Sequence, residues 1–175
     1  MNKKASFVII TFFSLCVYVS AITPKDTSGS QIIDKIKISD EDIPDGFMYG
    51  QIPTFAKQVL LNNPWMMNRT AVNKLTKNIY PNGDANSVKN MYVSIIAKKE
   101  KPYNDDIVCY IIEYNDSTSA KKEIEKLLEF SNFNRDRTIV IPHGKIAVFL
   151  IVDDVNNFQY ITILKDKLEN RLNSL

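Results

Sequence analysis

Histidine and cysteine, two side chains that commonly do acid–base or covalent chemistry, are scarce in this sequence. The only histidine, His143, stands in the segment Pro142-His143-Gly144-Lys145 between two apolar runs, a pattern typical of a solvent-facing hairpin turn. Cys109 lies inside an apolar run, where a thiol behaves as a small apolar residue with a raised pKa. We therefore expect a core role for Cys109 and a turn role for His143. The alternatives are a catalytic histidine and a reactive or intermolecularly bonded thiol.

Paired carboxylates are the second chemical possibility. Asp105-Asp106 precede one predicted strand, and Asp153-Asp154 follow another. Adjacent strand residues point to opposite faces, and acids beside strands commonly form turns or cap helices. Capping is therefore the favoured interpretation of Asp153-Asp154, with acid–base or metal chemistry as the alternative. Arg135 and Arg137 would face one side of a strand start and could hold an anionic group, although a solvated rim is the simpler interpretation.

The sequence contains no motif for a cofactor or a metal. A single histidine excludes every site built on two, and the five glycines are scattered singly, so neither a phosphate loop nor a dinucleotide fingerprint is present. The acidic segment from Ser39 to Gly46 resembles a calcium loop in composition only, because Pro44 occupies a ligand position and Gln51 stands where a bidentate Glu is required. We expect no cofactor and no metal, and the sequence favours a non-catalytic protein over an enzyme.

The first 21 residues predict a cleaved signal peptide. Lys3 and Lys4 precede an uncharged apolar stretch from Phe7 to Val19, which leads into the small-residue ending Ser20-Ala21. The alternative is an uncleaved membrane anchor, since residues 5–22 are uncharged and just long enough to cross a bilayer. We predict export to the periplasm or the extracellular space, with anchoring through residues 5–22 as the alternative.

Loss of this leader makes the mature chain electrically neutral. The full chain of 175 residues carries 22 basic and 20 acidic side chains, and residues 1–21 contain two lysines and no acid, so 20 of each sign remain. Without a net field, the mature chain has no means of gathering nucleic acid or an anionic membrane. We expect no nucleic-acid partner, and membrane contact only through an uncleaved amino-terminal segment.

The histidine, the strand cysteine, the two aspartate pairs and the two arginines fall within or beside a predicted strand, helix and hairpin between Asp105 and Val152. Short apolar runs bounded by turn residues predict strands, and apolar residues at 3.6-residue spacing predict helices. The predicted elements are strands at 91–97, 107–114, 138–141 and 146–152, a helix across 120–130 and a last helix from about Val155. The last segment is ambiguous, because Phe158 to Leu164 also alternates like a strand.

This order of elements, β-β-α-β-β-α, predicts an α+β fold with one antiparallel sheet of about four strands and helices packed on one face. A short helix pair precedes it. Its first helix starts near Pro53, with Phe55, Ala56, Val59 and Leu60 on one face, and its second starts after the N-cap Asn68. We assign residues 46–175 to a single globular domain and residues 22–45 to a polar linker, in which the alternation from Ile32 to Ile38 predicts an edge strand.

The segment Asn115-Asp116-Ser117 predicts the cap of the central helix. The predicted buried stripe of this helix is Ala120, Ile124, Leu127 and Leu128. The succession of a strand, Tyr114-Asn115-Asp116-Ser117 and a helix containing Ala120 resembles a pattern of several exported bacterial domains of unknown function. The resemblance covers fewer than half of the residues, and it implies the α+β class and export without an activity.

One apolar cluster stands outside these strands and helices. Pro64-Trp65-Met66-Met67 joins the two helices of the pair and carries the only tryptophan. Methionine beside tryptophan suits irregular core gaps as well as adaptable binding surfaces. The favoured interpretation is a loop folded back onto the core, and the alternative is contact with a ligand or partner. The residues predicted for such a contact are Trp65, Met66, Met67, Phe47 and Tyr49.

These patterns favour an exported, non-catalytic binding or interaction domain of the cell envelope, which binds a protein or a small ligand. An exported hydrolase or isomerase that uses carboxylates is the first alternative, and it requires Asp105 or Asp106 in a cleft near Arg135 or His143. A structural or assembly subunit is the second alternative.

Overall fold

The computed structural model describes residues 27–54, 57 and 61–175 of the chain. The predicted signal peptide lies outside these residues, as does the predicted helix face formed by Phe55, Ala56, Val59 and Leu60. Within the described part of the chain, no helix combines the length and the apolar character that a membrane crossing requires.

A six-stranded antiparallel sheet forms the centre of the protein. Its strands are β1 (Phe47–Tyr49), β2 (Trp65–Met66), β3 (Val88–Lys98), β4 (Ile107–Tyr114), β5 (Thr138–His143) and β6 (Ile146–Val152). The strand order is β1-β3-β4-β6-β5, and β2 pairs with β3 on the edge that β1 also occupies. The α+β class is confirmed, and the prediction of about four strands was wrong. β1 and β2 are too short to show a periodic pattern, and they form through pairing with β3.

Within the described residues, four α-helices cover both faces of the sheet. They are α1 (Thr27–Ile36), α2 (Arg69–Ile79), α3 (Ser117–Phe133) and α4 (Phe158–Asn173). α1 and α4 share a core with Ile111 of β4, whereas α2 and α3 share the opposite core with Ile112. The prediction of helices on one face was therefore wrong. Because adjacent strand residues point to opposite faces, the unbroken apolar run of β4 requires cover on both sides.

Helix α1 replaces the edge strand that the sequence predicts between Ile32 and Ile38. Ile33 and Ile36 are both fully buried in the core shared with α4. Their separation of three residues puts them on one helical face, so that packing against the sheet, rather than the local alternation, decides the structure. α1 brings part of the segment predicted to be a polar linker into the core.

A partly buried ion pair joins this amino-terminal segment to α4. The two guanidinium nitrogens of Arg171 each lie 2.8 Å from a carboxylate oxygen of Asp42. Ser39 donates to the same carboxylate through its backbone N–H at 2.8 Å and its hydroxyl at 2.9 Å. Burial alone would raise the pKa of Asp42, but the hydrogen bonds from Arg171 and Ser39 outweigh it and hold that pKa below its ordinary value.

The predicted caps and the predicted last helix are confirmed. Asn68 accepts a hydrogen bond from the Ala71 N–H at the start of α2, and Asp116 accepts two from the first turn of α3. α4 follows a short 3₁₀ turn, and its buried stripe repeats every three or four residues. The stripe consists of Ile161, Leu164, Leu168 and Leu172.

Candidate functional site

The Trp-Met segment, predicted to be a loop, forms strand β2. Trp65 pairs with Val93 and Met66 with Tyr92. Trp65 packs against the core of α2 and α3, Met66 packs against the core of α1 and α4, and both side chains are half-buried. Met67 is buried. The loop prediction was wrong because a partner strand more than twenty residues away creates β2, while the proposed contact role of these side chains stays a prediction.

The other two predicted contact residues lie on β1. Phe47 is buried and meets the ring of Tyr160 edge to face, with 5.0 Å between ring centroids. Tyr49 is half-buried, and its hydroxyl donates to the backbone oxygen of Ile38 at 2.9 Å. Burial, with the nearby Tyr92 ring and acidic groups, raises the pKa of Tyr49 above its ordinary value. β1 thus ties the sheet edge to both the amino-terminal segment and α4.

A side-chain amide fills the gap between β1 and β2 on the edge of β3. Asn63 donates to the Ile95 oxygen at 2.6 Å and accepts from the Ile95 N–H at 2.8 Å, which reproduces the pairing of a strand residue. The same Asn63 amide donates to the Gly50 oxygen at 2.7 Å, and the Gly50 N–H donates to Ile95 at 2.9 Å. Gly50 and Asn63 are thereby fixed at one point of the sheet.

A polar hollow of about 410 Å³ opens beside this joint. Its lining is Gly50, Gln51, Ile52, Thr54, Lys57, Leu61, Asn62, Asn63 and Tyr103. The side chains of Leu61 and Tyr103 are well exposed at its rim. None of the five predicted contact residues lines this hollow.

A second hollow, of about 290 Å³, lies at the opposite end of the sheet. It is lined by Ile32, Lys89, Glu113, His143, Gly144, Lys145, Ile146 and Leu175, and we call it the Glu113 hollow. Strand register explains why residues distant in the sequence meet here. Glu113 pairs with Asn90 on one side and with Ile146 on the other. Ile146 pairs in turn with His143. These four residues form one row across β3, β4, β6 and β5, and side chains of one row point to the same face.

The floor of the Glu113 hollow is a carboxylate that contacts Asn90 and Lys89. Glu113 is 5% exposed, and its Oε2 accepts from the Asn90 side-chain amide at 2.8 Å. Its Oε1 lies 3.4 Å from the ammonium of Lys89. The register of β3 shifts between Val88 and Asn90, so Lys89 is the extra residue of a bulge, a feature that re-aims side chains.

The walls and the rim of the Glu113 hollow differ in character. Ile32, Ile146 and Leu175 supply apolar surface, whereas His143 and Lys145 stand in the β5–β6 hairpin at the mouth. The turn itself uses Gly144 at φ 56°, a left-handed conformation that glycine adopts at no steric cost. In the row, Glu113 and His143 stand two strands apart, which separates their backbones by roughly 10 Å. A ligand between them can contact both.

Most of the predicted acid and arginine candidates serve structural roles away from this hollow. Asp106 is buried and accepts from the Lys98 N–H at 2.9 Å, while Asp105 is exposed. Asp154 caps the 3₁₀ turn before α4, which confirms the capping interpretation. Arg135 is exposed, and Arg137 donates to the backbone oxygen of Asp153. Neither of the two hollows described above is lined by Asp105, Asp106 or Arg135, so the cleft expected for the hydrolase alternative does not form there from the predicted residues.

The strand cysteine is a core residue, as predicted. Cys109 is fully buried between β3 and β6, opposite Ser94 and Leu150. Burial raises the pKa of its thiol to about 12. The thiol therefore stays protonated at neutral pH and carries no nucleophilic role.

A buried glutamate lies on α3, although the alternation of Lys and Glu along this helix predicts Glu123 on its outward, solvated face. Glu123 is fully buried and accepts from the Tyr80 hydroxyl and the Asp84 N–H, both at 2.9 Å. Lys126 donates to it at 2.6 Å. Leu128, expected on the buried stripe, is instead partly exposed. The buried residues of α3 are therefore Ala120, Glu123, Ile124 and Leu127, with Glu123 in place of Leu128.

The polar network around Glu123 borders a third hollow of about 210 Å³. Its lining is Pro81, Asn82, Lys126, Glu129, Phe130 and Phe133. Phe133 is 83% exposed, the highest value among the large apolar side chains of the described residues. Lys126 donates to the backbone oxygen of Asn82 as well as to Glu123, so its ammonium is engaged by the protein itself.

The described residues contain no group of three or more metal-ligating side chains that could hold an ion. Sequence reasoning passed over Glu113 because it reads as the polar end of the β4 run. The available signal was the charge itself, because a glutamate between Ile112 and Tyr114 in a strand covered on both faces must have a polar environment. Which residues surround Glu113 depends on the register of four strands.

Comparison with known proteins gives no further assignment: no protein-family model, no curated protein and no solved structure matches this chain.

Proposed function

We propose that the protein is an exported, non-catalytic binding domain of the cell envelope and that the Glu113 hollow holds its ligand. One observation carries the proposal. A single hollow brings together a buried carboxylate, two lysines and the only histidine of the chain against apolar walls. Ligand sites typically combine apolar surface with a small number of convergent polar groups.

The geometry favours binding over catalysis. The carboxylate of Glu113 already contacts Asn90 and Lys89, and His143 stands two strands away in the same row. General acid–base catalysis needs groups placed within hydrogen-bond reach of the same reacting atoms. In this row, the polar groups are spread across the sheet. They can therefore bind the two ends of a ligand separately.

Chemical-shift mapping with a library of small amphipathic compounds tests this proposal. We expect some compounds to shift the amide resonances of Glu113, His143 and Lys145. Leu175→Asp adds a charge at a half-exposed wall position and should abolish these shifts. Ile163→Asp, at a similarly exposed apolar position on α4, is the matched control and should preserve them. A library that leaves the hollow unperturbed would contradict the proposal.

An exported hydrolase or isomerase is the second candidate, and one observation favours it. Glu113 and His143 line the same hollow, so a substrate could contact a carboxylate and an imidazole together. Turnover of a bound compound that is lost in both Glu113→Gln and His143→Gln would support this candidate. Binding without turnover supports the first.

We also propose that the chain is exported through its amino-terminal segment. The support is the pattern of Lys3, Lys4 and the apolar stretch ending at Ala21. Mass spectrometry of the mature protein should find Ile22 as the first residue. Retention of residues 5–22 in a membrane fraction would favour the anchored alternative.

A further inference from the structure

We infer that the Glu113 hollow takes a small amphipathic zwitterion, namely an amino acid or dipeptide with an apolar side chain. The inference rests on the proposed binding function and names its ligand class. It follows from three features of the lining: an acid at the floor, cations near the rim and apolar side chains between them.

The floor suits an ammonium group. An ionised carboxylate has about four acceptor positions, and a buried carboxylate is costly unless donors fill them. Asn90 supplies one donor at 2.8 Å, and the Lys89 ammonium stands at the longer distance of 3.4 Å. The carboxylate of Glu113 lines the hollow, so a ligand ammonium can reach an acceptor position on it.

The rim suits a carboxylate. Lys145 lies in the turn at the mouth, His143 precedes that turn, and Lys89 borders the floor. A simple cation meets the repulsion of both lysines, and a simple anion meets the repulsion of Glu113. A zwitterion places each of its charges against the opposite sign.

The walls and the size restrict the body of the ligand. The apolar wall is formed by Ile32, Ile146 and Leu175. An apolar ligand side chain is stabilised by burial against this wall, whereas a polar one is not. The volume of about 290 Å³ lies just below the range of about 300–1,000 Å³ for ligand sites. One or two residues therefore fit, and a longer peptide does not.

Calorimetric titration of the full mature chain with leucine, leucyl-leucine and matched analogues tests the inference. N-acetyl-leucine lacks the ammonium, leucinamide lacks the carboxylate, and glycine lacks the apolar side chain. We expect leucine or leucyl-leucine to bind and each analogue to bind at least about tenfold more weakly. Equal affinity for the zwitterions and for N-acetyl-leucine or leucinamide would overturn the inference.

Two substitutions separate the charge contacts from general effects on folding. Glu113→Gln keeps an acceptor for Asn90 and should weaken zwitterion binding about tenfold without weakening N-acetyl-leucine. Lys145→Gln should weaken the zwitterions without weakening leucinamide. Glu125→Gln and Lys99→Gln change exposed residues outside the hollow and should leave every affinity unchanged. The inference would be overturned if Glu125→Gln weakened zwitterion binding as much as Glu113→Gln does. An equal loss of affinity in Lys99→Gln and Lys145→Gln would overturn it as well.

The outcomes also separate this inference from the proposed function. If neither zwitterion binds while other compounds shift the resonances of the hollow, the ligand class is wrong and the binding function stands. If no compound perturbs the hollow, both proposals fail.

Discussion

The side-chain amide of Asn63 pairs with the backbone of Ile95 as a strand residue would, at 2.6 and 2.8 Å. This contact continues the edge of the sheet between β1 and β2. The same amide also donates to the backbone oxygen of Gly50, the residue that follows β1. A single side chain thereby joins two strands that are too short to be stable alone.

Replacement of Asn63 by alanine is expected to lower the free energy of unfolding by about 1–3 kcal/mol, because the part-buried Ile95 N–H and Gly50 oxygen lose the side-chain amide that pairs with them. Hydrogen exchange at the Ile95 amide should accelerate at the same time. Asn62→Ala, at the exposed neighbouring residue, is the control and should change neither quantity. Unchanged protection of Ile95 in Asn63→Ala would show that the amide does not act as a strand.

Replacement of Tyr80 by phenylalanine tests the buried network of Glu123. The substitution removes the 2.9 Å hydrogen bond to a fully buried carboxylate, so chemical denaturation should show a loss of about 1–3 kcal/mol. Tyr103→Phe removes a hydroxyl from an exposed ring and should be neutral. Equal effects of the two substitutions would mean that Glu123 is satisfied without Tyr80.

The ion pair of Asp42 and Arg171 predicts a specific pH dependence. Because the folded-state pKa of Asp42 lies below its ordinary value of 3.8, the pair stabilises the fold above pH 3.8, and this contribution disappears as the pH falls through the lower, folded-state value. Asp42→Asn should therefore cost stability at neutral pH, and the deficit should shrink in acid below pH 3.8.

Thermal or denaturant unfolding of the wild type and of Asp42→Asn across this range measures the deficit. Asp45→Asn, at an exposed position, should match the wild type at every pH. A deficit of Asp42→Asn that stays constant into acid would contradict the assigned role of the carboxylate.

Trp65→Ala tests the packing of β2. Since Trp65 is half-buried against the core of α2 and α3, the loss should be about 2 kcal/mol, less than the roughly 3–5 kcal/mol typical of full burial. Denaturant unfolding gives this value. A neutral effect would show that the side chain is a surface group, as a pure partner contact requires.

The sequence allowed the prediction of elements whose signals are local. The Asn68 and Asp116 caps and the stripe of α4 follow from residues within one or two turns, and the structure has them where the pattern puts them. The two-strand edge and the helical state of α1 were missed, because pairing with β3 and packing against α4 decide them. Such contacts join distant parts of the chain and produce no periodic pattern of apolar residues in the local sequence.

The same distinction applies to the candidate site. Glu113 and His143 were visible in the sequence, but their row with Asn90 and Ile146 exists only through the register of four strands. The bulge that directs Lys89 toward Glu113 is likewise a property of pairing. The sequence could supply the residues of the hollow, and the structure was needed to bring them together.

A crystal structure of the mature protein grown with leucyl-leucine tests the central claim most directly. The account predicts ligand density in the Glu113 hollow, with the ligand ammonium within hydrogen-bond distance of Glu113 and the ligand carboxylate facing Lys145. Density for the ligand at another site, with the Glu113 hollow filled only by water, would contradict it.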